Sequence, residues 1–525
     1  MKRIKLIICA GAILLSASSC KKYLDINTNP NSATSSTPDL VLPQALVYTA
    51  SQINSFNTYG AQVGGNMVNG GGYGGFGVVW TYNYGPGDQT GFWSTSYDIA
   101  EDFQYVINST QGDAKYAKYN AVARIMKSYI FELIFDQYSD APYSEALLGP
   151  GSVTPKYDKG KDVYPLLANQ LDSAISIINA NPLALSLTSS TDPMFAGDMT
   201  MWKQFANTLK LRLIVRGTPA ATFSNTTFSS DGFLTTDAVV NPKYGRVNGQ
   251  QNPSWNTWVT SYTNSAATRS YIPSKYVFGF YDGHKLTDPG RGKAVYLDFP
   301  NTTVSQMGVG DNSVPKAPAT TNAWYSGTTA TLPAAAGLGN NIGIMKGPDQ
   351  GQPLMLAAES YFLQAEAAVR GILTSVTAKT AFNNGITASF AYLYKLPNLT
   401  TKAGYNATAD AATYMTDNNT SYLVNFDLAT TTAQKTEAII TQKYIALNFI
   451  HSGETWNEYR RTGYPVSSST VINNPYGSFA STQSASTRPD KLPTRLQYPS
   501  SEFSYNPNNV PSGINVFSSL IFWAK

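Results

Sequence analysis

Apolar residues recur along much of the chain at spacings of three and four, the period of a helix with one buried face. Ile440, Tyr444 and Leu447 make such a stripe, widened by Ile439 and Ile450, while Gln442, Lys443 and Asn448 fall on the other side. The stretch 432–465 therefore predicts a long helix, a cap or kink at Gly453, and a shorter helical piece. That piece carries Glu454, Trp456, Tyr459, Arg460 and Arg461, and Gly463 and Pro465 stop it. It reads as a buried scaffold element with a charged cap. The same period predicts helices over 43–55, 92–108, 113–138, 163–179, 201–216, 354–370 and 378–395. Trp93 keeps the inner face of the second of these with Tyr97, Ala100 and Phe103, so it reads as core.

Two stretches lack the period. The segment 66–91, NMVNGGGYGGFGVVWTYNYGPGDQTG, is rich in glycine and rings. Gly72, Gly74 and Gly77 fit G-x-G-x-x-G, but no strand leads in and the run ends in an apolar V-V-W segment, so a dinucleotide site is rejected. A long loop is predicted instead. Loops of that length in a folded body are often functional. Its rings Tyr73, Trp80, Tyr82 and Tyr84 are suited to stacking on the C–H faces of sugars, with Asn83 and Gln89 placed for hydroxyls. The other reading has the same rings packed inward. The second stretch, 241–348, holds Trp255, Trp258, Tyr262, Tyr271, Tyr281, Trp324 and Tyr325 among Gly, Pro, Asn and Thr. Trp324 and Tyr325 are the ligand candidates there; Trp255 and Trp258, three apart, fit one face of a buried element equally well.

Composition narrows the chemistry. Charged residues are 13% and aromatics 12% of the 525 residues, so a surface of neutral hydrogen-bonding groups is expected. The 37 basic residues, less Lys2, Arg3 and Lys5 of a leader, leave 34 against 33 acidic ones. Nothing there attracts nucleic acid. Lys2 to Lys5, the apolar run 6–15 and the small residues before Cys20 read as a signal peptide over 1–19 with a lipidation cysteine. Acylation at Cys20 would anchor a chain that has no spanning segment. Residues 20–40 read as a tether, and 41–525 as one folded unit.

With Cys9 in the leader, no disulfide framework or cysteine zinc site is available. The two histidines, His284 and His451, are far apart, and no H-E-x-x-H, Walker or G-x-S-x-G motif is present. No cofactor, metal or catalytic group is assigned. Asp136, Asp140 and Glu145 raise the question of a carboxylate-pair hydrolase. They sit at a helix end and a turn, where carboxylates cap and bridge, and are read as structural.

Five stretches, in order, carry a resemblance: CKKYLDINTNPNSAT from Cys20, FDQYSDAPYSEAL, PLMLAAESYFLQAEAAVRG, the segment QKYIAL with GETWNEYRRTGYP, and PTRLQYPSSEFSYNPNNV. Together they resemble the SusD/RagB family of outer-membrane nutrient-binding lipoproteins of Bacteroidetes, in its SusD-like branch. Residues 223–351 match poorly, although Asp288-Pro289-Gly290-Arg291 is loosely like the family's D-P-R segment. The resemblance implies a mainly α fold of tetratricopeptide-like helix pairs with long irregular loop insertions, the ligand side lying in 223–351. It implies a non-catalytic protein of the cell outer membrane, lipid-anchored and facing outward, that captures oligosaccharides for a SusC-like TonB-dependent transporter. The same fold binding peptides, or a surface glycoside hydrolase, are the alternatives.

Overall fold

The computed structural model describes residues 36–310, 313–316, 318, 321–328, 339–468 and 474–525; the leader, Cys20 and most of the expected tether lie outside them. Proline, whose fixed φ suits a first turn, opens helix α1 at Pro38–Val63. The apolar period predicts only 43–55 because buried amides interrupt it: Asn57 donates to Phe449 O and accepts from Ser452 N, and Gln62 donates to Tyr271 Oη. The last residues assigned to the tether are therefore helical.

Helices α2 (Gly91–Thr110), α3 (Ala117–Tyr138), α4 (Gly160–Ala180) and α5 (Met199–Gly217) follow, each packed on the one before, as stacked helix pairs do. Helices α6 (Ala357–Val369) and α7 (Ala378–Leu393) form the next pair, α6 also resting on α5. Then come α8 (Ala407–Asp417), α9 (Thr432–Ala446) and α10 (Ser452–Thr462). Helix α9 packs on α6, and α10 returns to α1. The mainly α expectation holds.

The break between α9 and α10 falls at 447–451, one turn before Gly453. Gly453 is no cap. A Cβ added at Gly60 would lie 2.3 Å from Gly453 N, so the two glycines let the backbones of α1 and α10 touch. The glycine that needs left-handed φ is Gly463, at +80°, which ends α10 as predicted.

The polar face of α9 is buried rather than solvated. Lys443, together with Arg212 and Arg216 of α5, meets Glu132 and Asp136 of α3, Glu359 of α6, and Glu454 and Glu458 of α10. Arg461 closes on Glu366. Every residue of α10 is buried. The charged cap is thus an ion-pair lattice joining five helices, in which unpaired members would be costly.

The strands are short two-stranded pairs. Ala238–Val240 runs antiparallel to Gln352–Met355, so the chain leaves the helical frame and rejoins it at adjacent rungs. The strand displaces the expected start of α6 from 354 to Ala357. Between these rungs lie the short helices Pro253–Trp258, Lys275–Phe278 and Pro289–Val295. Trp255 and Trp258 are both buried there, on one helical face.

Candidate functional site

The glycine-rich stretch is pinned at its start. Met67–Asn69 pairs antiparallel with Tyr271–Pro273, Val68 lying opposite Ile272. Val68, Ile272, Met307 and Val314 form a small separate core, and Val79 and Trp80 pack against it. Asn69 does the clamping. Its Oδ1 accepts from Trp80 Nε1 at 2.9 Å and from Gly308 N at 3.1 Å, while Nδ2 donates to Val309 O at 3.0 Å. Phe76 stacks on Trp80 at 5.4 Å and meets Tyr271 edge-on. The V-V-W segment is one turn of helix, Gly77–Thr81, ended by Tyr82 at φ +58°.

The outer side of this loop is open: a Cβ added at Gly74, Gly75 or Gly77 would meet nothing within 4 Å. Tyr73, just before those glycines, is 42% exposed, Val78 and Asn83 are exposed, and Trp80 is half-buried. Gln89 is half-buried, with φ +55°, in the lead-in to α2.

Four expected ligand residues are core instead. Tyr82 is fully buried and its hydroxyl accepts from Ser481 N. Tyr84 packs edge-on against Tyr59. Trp324 is 0% exposed and lies flat on Phe449 with ring centroids 4.0 Å apart. Tyr325 packs against Trp255. A ring with both faces covered offers a sugar nothing, and these four fill space beneath the loops. Tyr73, Trp80, Asn83 and Gln89 are what the structure leaves on the surface loop. Sequence reasoning missed Asn69 and Val78; an asparagine in an Asn-rich loop carries no signal that it orients a tryptophan.

A family model described as "Starch-binding associating with outer membrane", of SusD-like type, matches residues 30–499. The chain belongs to the SusD-like family. Its fold is similar to that of a SusD homolog from Bacteroides fragilis, 20% identical, covering 94% of this chain and all of that one with a TM-score of 0.64. A structure named as a chitin-binding protein is 22% identical over 93% of this chain and all of that one, with a TM-score of 0.62. A SusD-like protein from Bacteroidetes is 20% identical over the same shares, with a TM-score of 0.68. A comparison with curated protein sequences finds no match.

On this SusD-like frame the carboxylates that raised the hydrolase question are engaged in structure. Asp136 is buried and accepts from Arg216, Asn457 and Trp523. Asp140 pairs with Lys159 and Glu145 with Lys156. The D-P-R-like segment folds inward too: Asp288 caps the helix Pro289–Val295 and its carboxylate holds the buried Arg291. His451 is buried with Nδ1 3.6 Å from Glu359, and His284 stacks on Tyr476 at 3.8 Å while meeting Asp282. Among the described residues, no group of three or more His, Cys, Asp and Glu is placed to hold a metal, and no helix is long and apolar enough to cross a membrane. The open loop therefore offers rings and a neutral amide. Such groups suit stacking and hydrogen bonding to an uncharged ligand.

Proposed function

We propose that this protein captures oligosaccharides outside the outer membrane and delivers them to a SusC-like TonB-dependent transporter, without cutting them. In this reading residues 1–19 are removed and the acylated Cys20 anchors the chain, facing outward. The observation that carries it is the loop of Tyr73, Trp80 and Asn83, open to solvent and clamped by Asn69, on a chain of a starch-binding family. Tyr73 and Trp80 supply ring faces, and Asn83 and Gln89 supply hydrogen bonds. A few such contacts give binding of roughly micromolar to millimolar strength, about −4 to −8 kcal/mol, which also permits release.

The test is titration calorimetry of the wild type and Y73A/W80A with maltoheptaose, chitohexaose and a set of short peptides. Glycan binding that the double substitution weakens supports the reading. Binding to peptides alone, or new reducing ends during incubation with glycan, overturns it. Loss of palmitate labelling in C20A, and a co-purifying β-barrel from solubilised outer membrane, test the anchor and the transporter.

A further inference from the structure

We propose a second glycan-binding groove, on the helical frame between α6 and α7 and built from none of the loop residues above. It rests on the reading of this chain as a glycan binder. The groove has a volume of about 300 Å³, at the small end for ligand pockets and fit for one or two sugar rings.

Helix spacing makes it. Asn384, Ala388, Ala391 and Lys395 follow one another at intervals of four, three and four along and just beyond α7, so they share one stripe. Ala388 and Ala391 are short and recess the middle of that stripe. Tyr361 of α6 flanks them with its ring half-exposed. Thr235 and Thr236, just before the strand Ala238–Val240, complete the wall and are exposed.

The charges in the groove cancel. Lys395 Nζ lies 2.8 Å from Asp237 Oδ2, and Asp237 Oδ1 takes the N–H of Ala357 at the start of α6. The buried Lys346 donates to Tyr392 O and Lys395 O, which fixes the end of α7. An ionic ligand would have to compete with the Asp237–Lys395 pair. A neutral polyol competes with nothing: it meets a ring face at Tyr361, an amide at Asn384 and hydroxyls at Thr235 and Tyr361. Two weak sites on one chain would hold a long glycan more tightly than either alone.

The experiment is saturation-transfer NMR on the full chain with the methyl glycosides of glucose, galactose, mannose and N-acetylglucosamine. Ala391→Trp fills the groove; Y361A/N384A removes its contacts without adding bulk and serves if A391W melts early. The expected result is a sugar signal that persists in Y73A/W80A and is lost when either groove change is added. Signal already lost in Y73A/W80A overturns the groove and leaves the loop reading standing. Signal surviving the combined variant overturns the groove and assigns the sugar to neither site. Signal insensitive to Y73A/W80A but lost in A391W supports the groove and removes the loop assignment. No signal with the wild type overturns both.

Discussion

Arg212 grips Glu132 with both ends of its guanidinium: Nε lies 2.9 Å from Oε1 and Nη2 2.6 Å from Oε2, the two side chains 1% exposed. Its third contact, Nη1 to Glu359, carries the pair across to α6. Removing one member leaves buried charge without its counterpart. R212A is expected to lower stability by about 3–5 kcal/mol. Urea unfolding followed by circular dichroism measures it. Because the lattice is shielded from solvent, added salt should change the loss little.

The same lattice sets an acid limit. Burial pushes the Glu359 carboxyl up, but His451, Arg212 and Lys443 outweigh it and hold the group at about 2; Glu454 is held down in the same way, by Arg216 and Lys443. Carboxylates depressed in the folded state contribute stability that is present above their unfolded value of about 4.5. That stability is lost as pH falls through the folded value. The urea midpoint should therefore drop steeply from about pH 4.5 down to about 2, and less steeply in E359Q, whose starting stability is lower.

Trp324 separates core from site. With its ring flat on Phe449, W324A is expected to cost about 3–5 kcal/mol. Below its lowered melting temperature the variant should bind glycans as the wild type does. A normal melting temperature with lost binding would return Trp324 to the ligand.

Asn69 makes the converse case. N69A frees Trp80 Nε1 and lets the ring swing, so glycan affinity should fall about tenfold, or ~1.4 kcal/mol. The change is read by calorimetry, with a thermal melt showing that the frame persists.

Gly60 leaves no room for a methyl group between α1 and α10, where a Cβ would meet the backbone of Ser452 and Gly453. G60A is expected to destabilise by more than about 3 kcal/mol, since backbone rather than a movable side chain stands in the way. Soluble yield and thermal melting report it.

The helices were legible wherever one face alone is buried, as in α2 and α4, whose stripes predicted their cores. Helices buried nearly all round, such as α3 and α5, were legible as helices, but the burial of their polar residues was not. Glu454 and Arg461 read as a charged cap and Lys443 as the polar side of a helix, because sequence does not show that five helices converge on them. Gly453 serves close approach rather than capping, and sequence does not separate the two because close approach and left-handed φ call for the same residue. On the ligand side the loop 66–91 was legible as a unit. Which rings face out was not: Tyr73 and Tyr84 sit in similar company, and only tertiary packing on Tyr59 distinguishes them.

The two rungs at Ala238–Val240 and Gln352–Met355 anchor both ends of the long detour of chain at one place on the frame. Lengthening such a closed detour carries little entropic penalty, about 0.6 kcal/mol for each doubling. Trp324 on Phe449 ties it down again in its second half, however. The detour is thus tied to the frame at both ends and again at Trp324, and recognition can be rewritten in the loops between these ties while the helices beneath stay as they are.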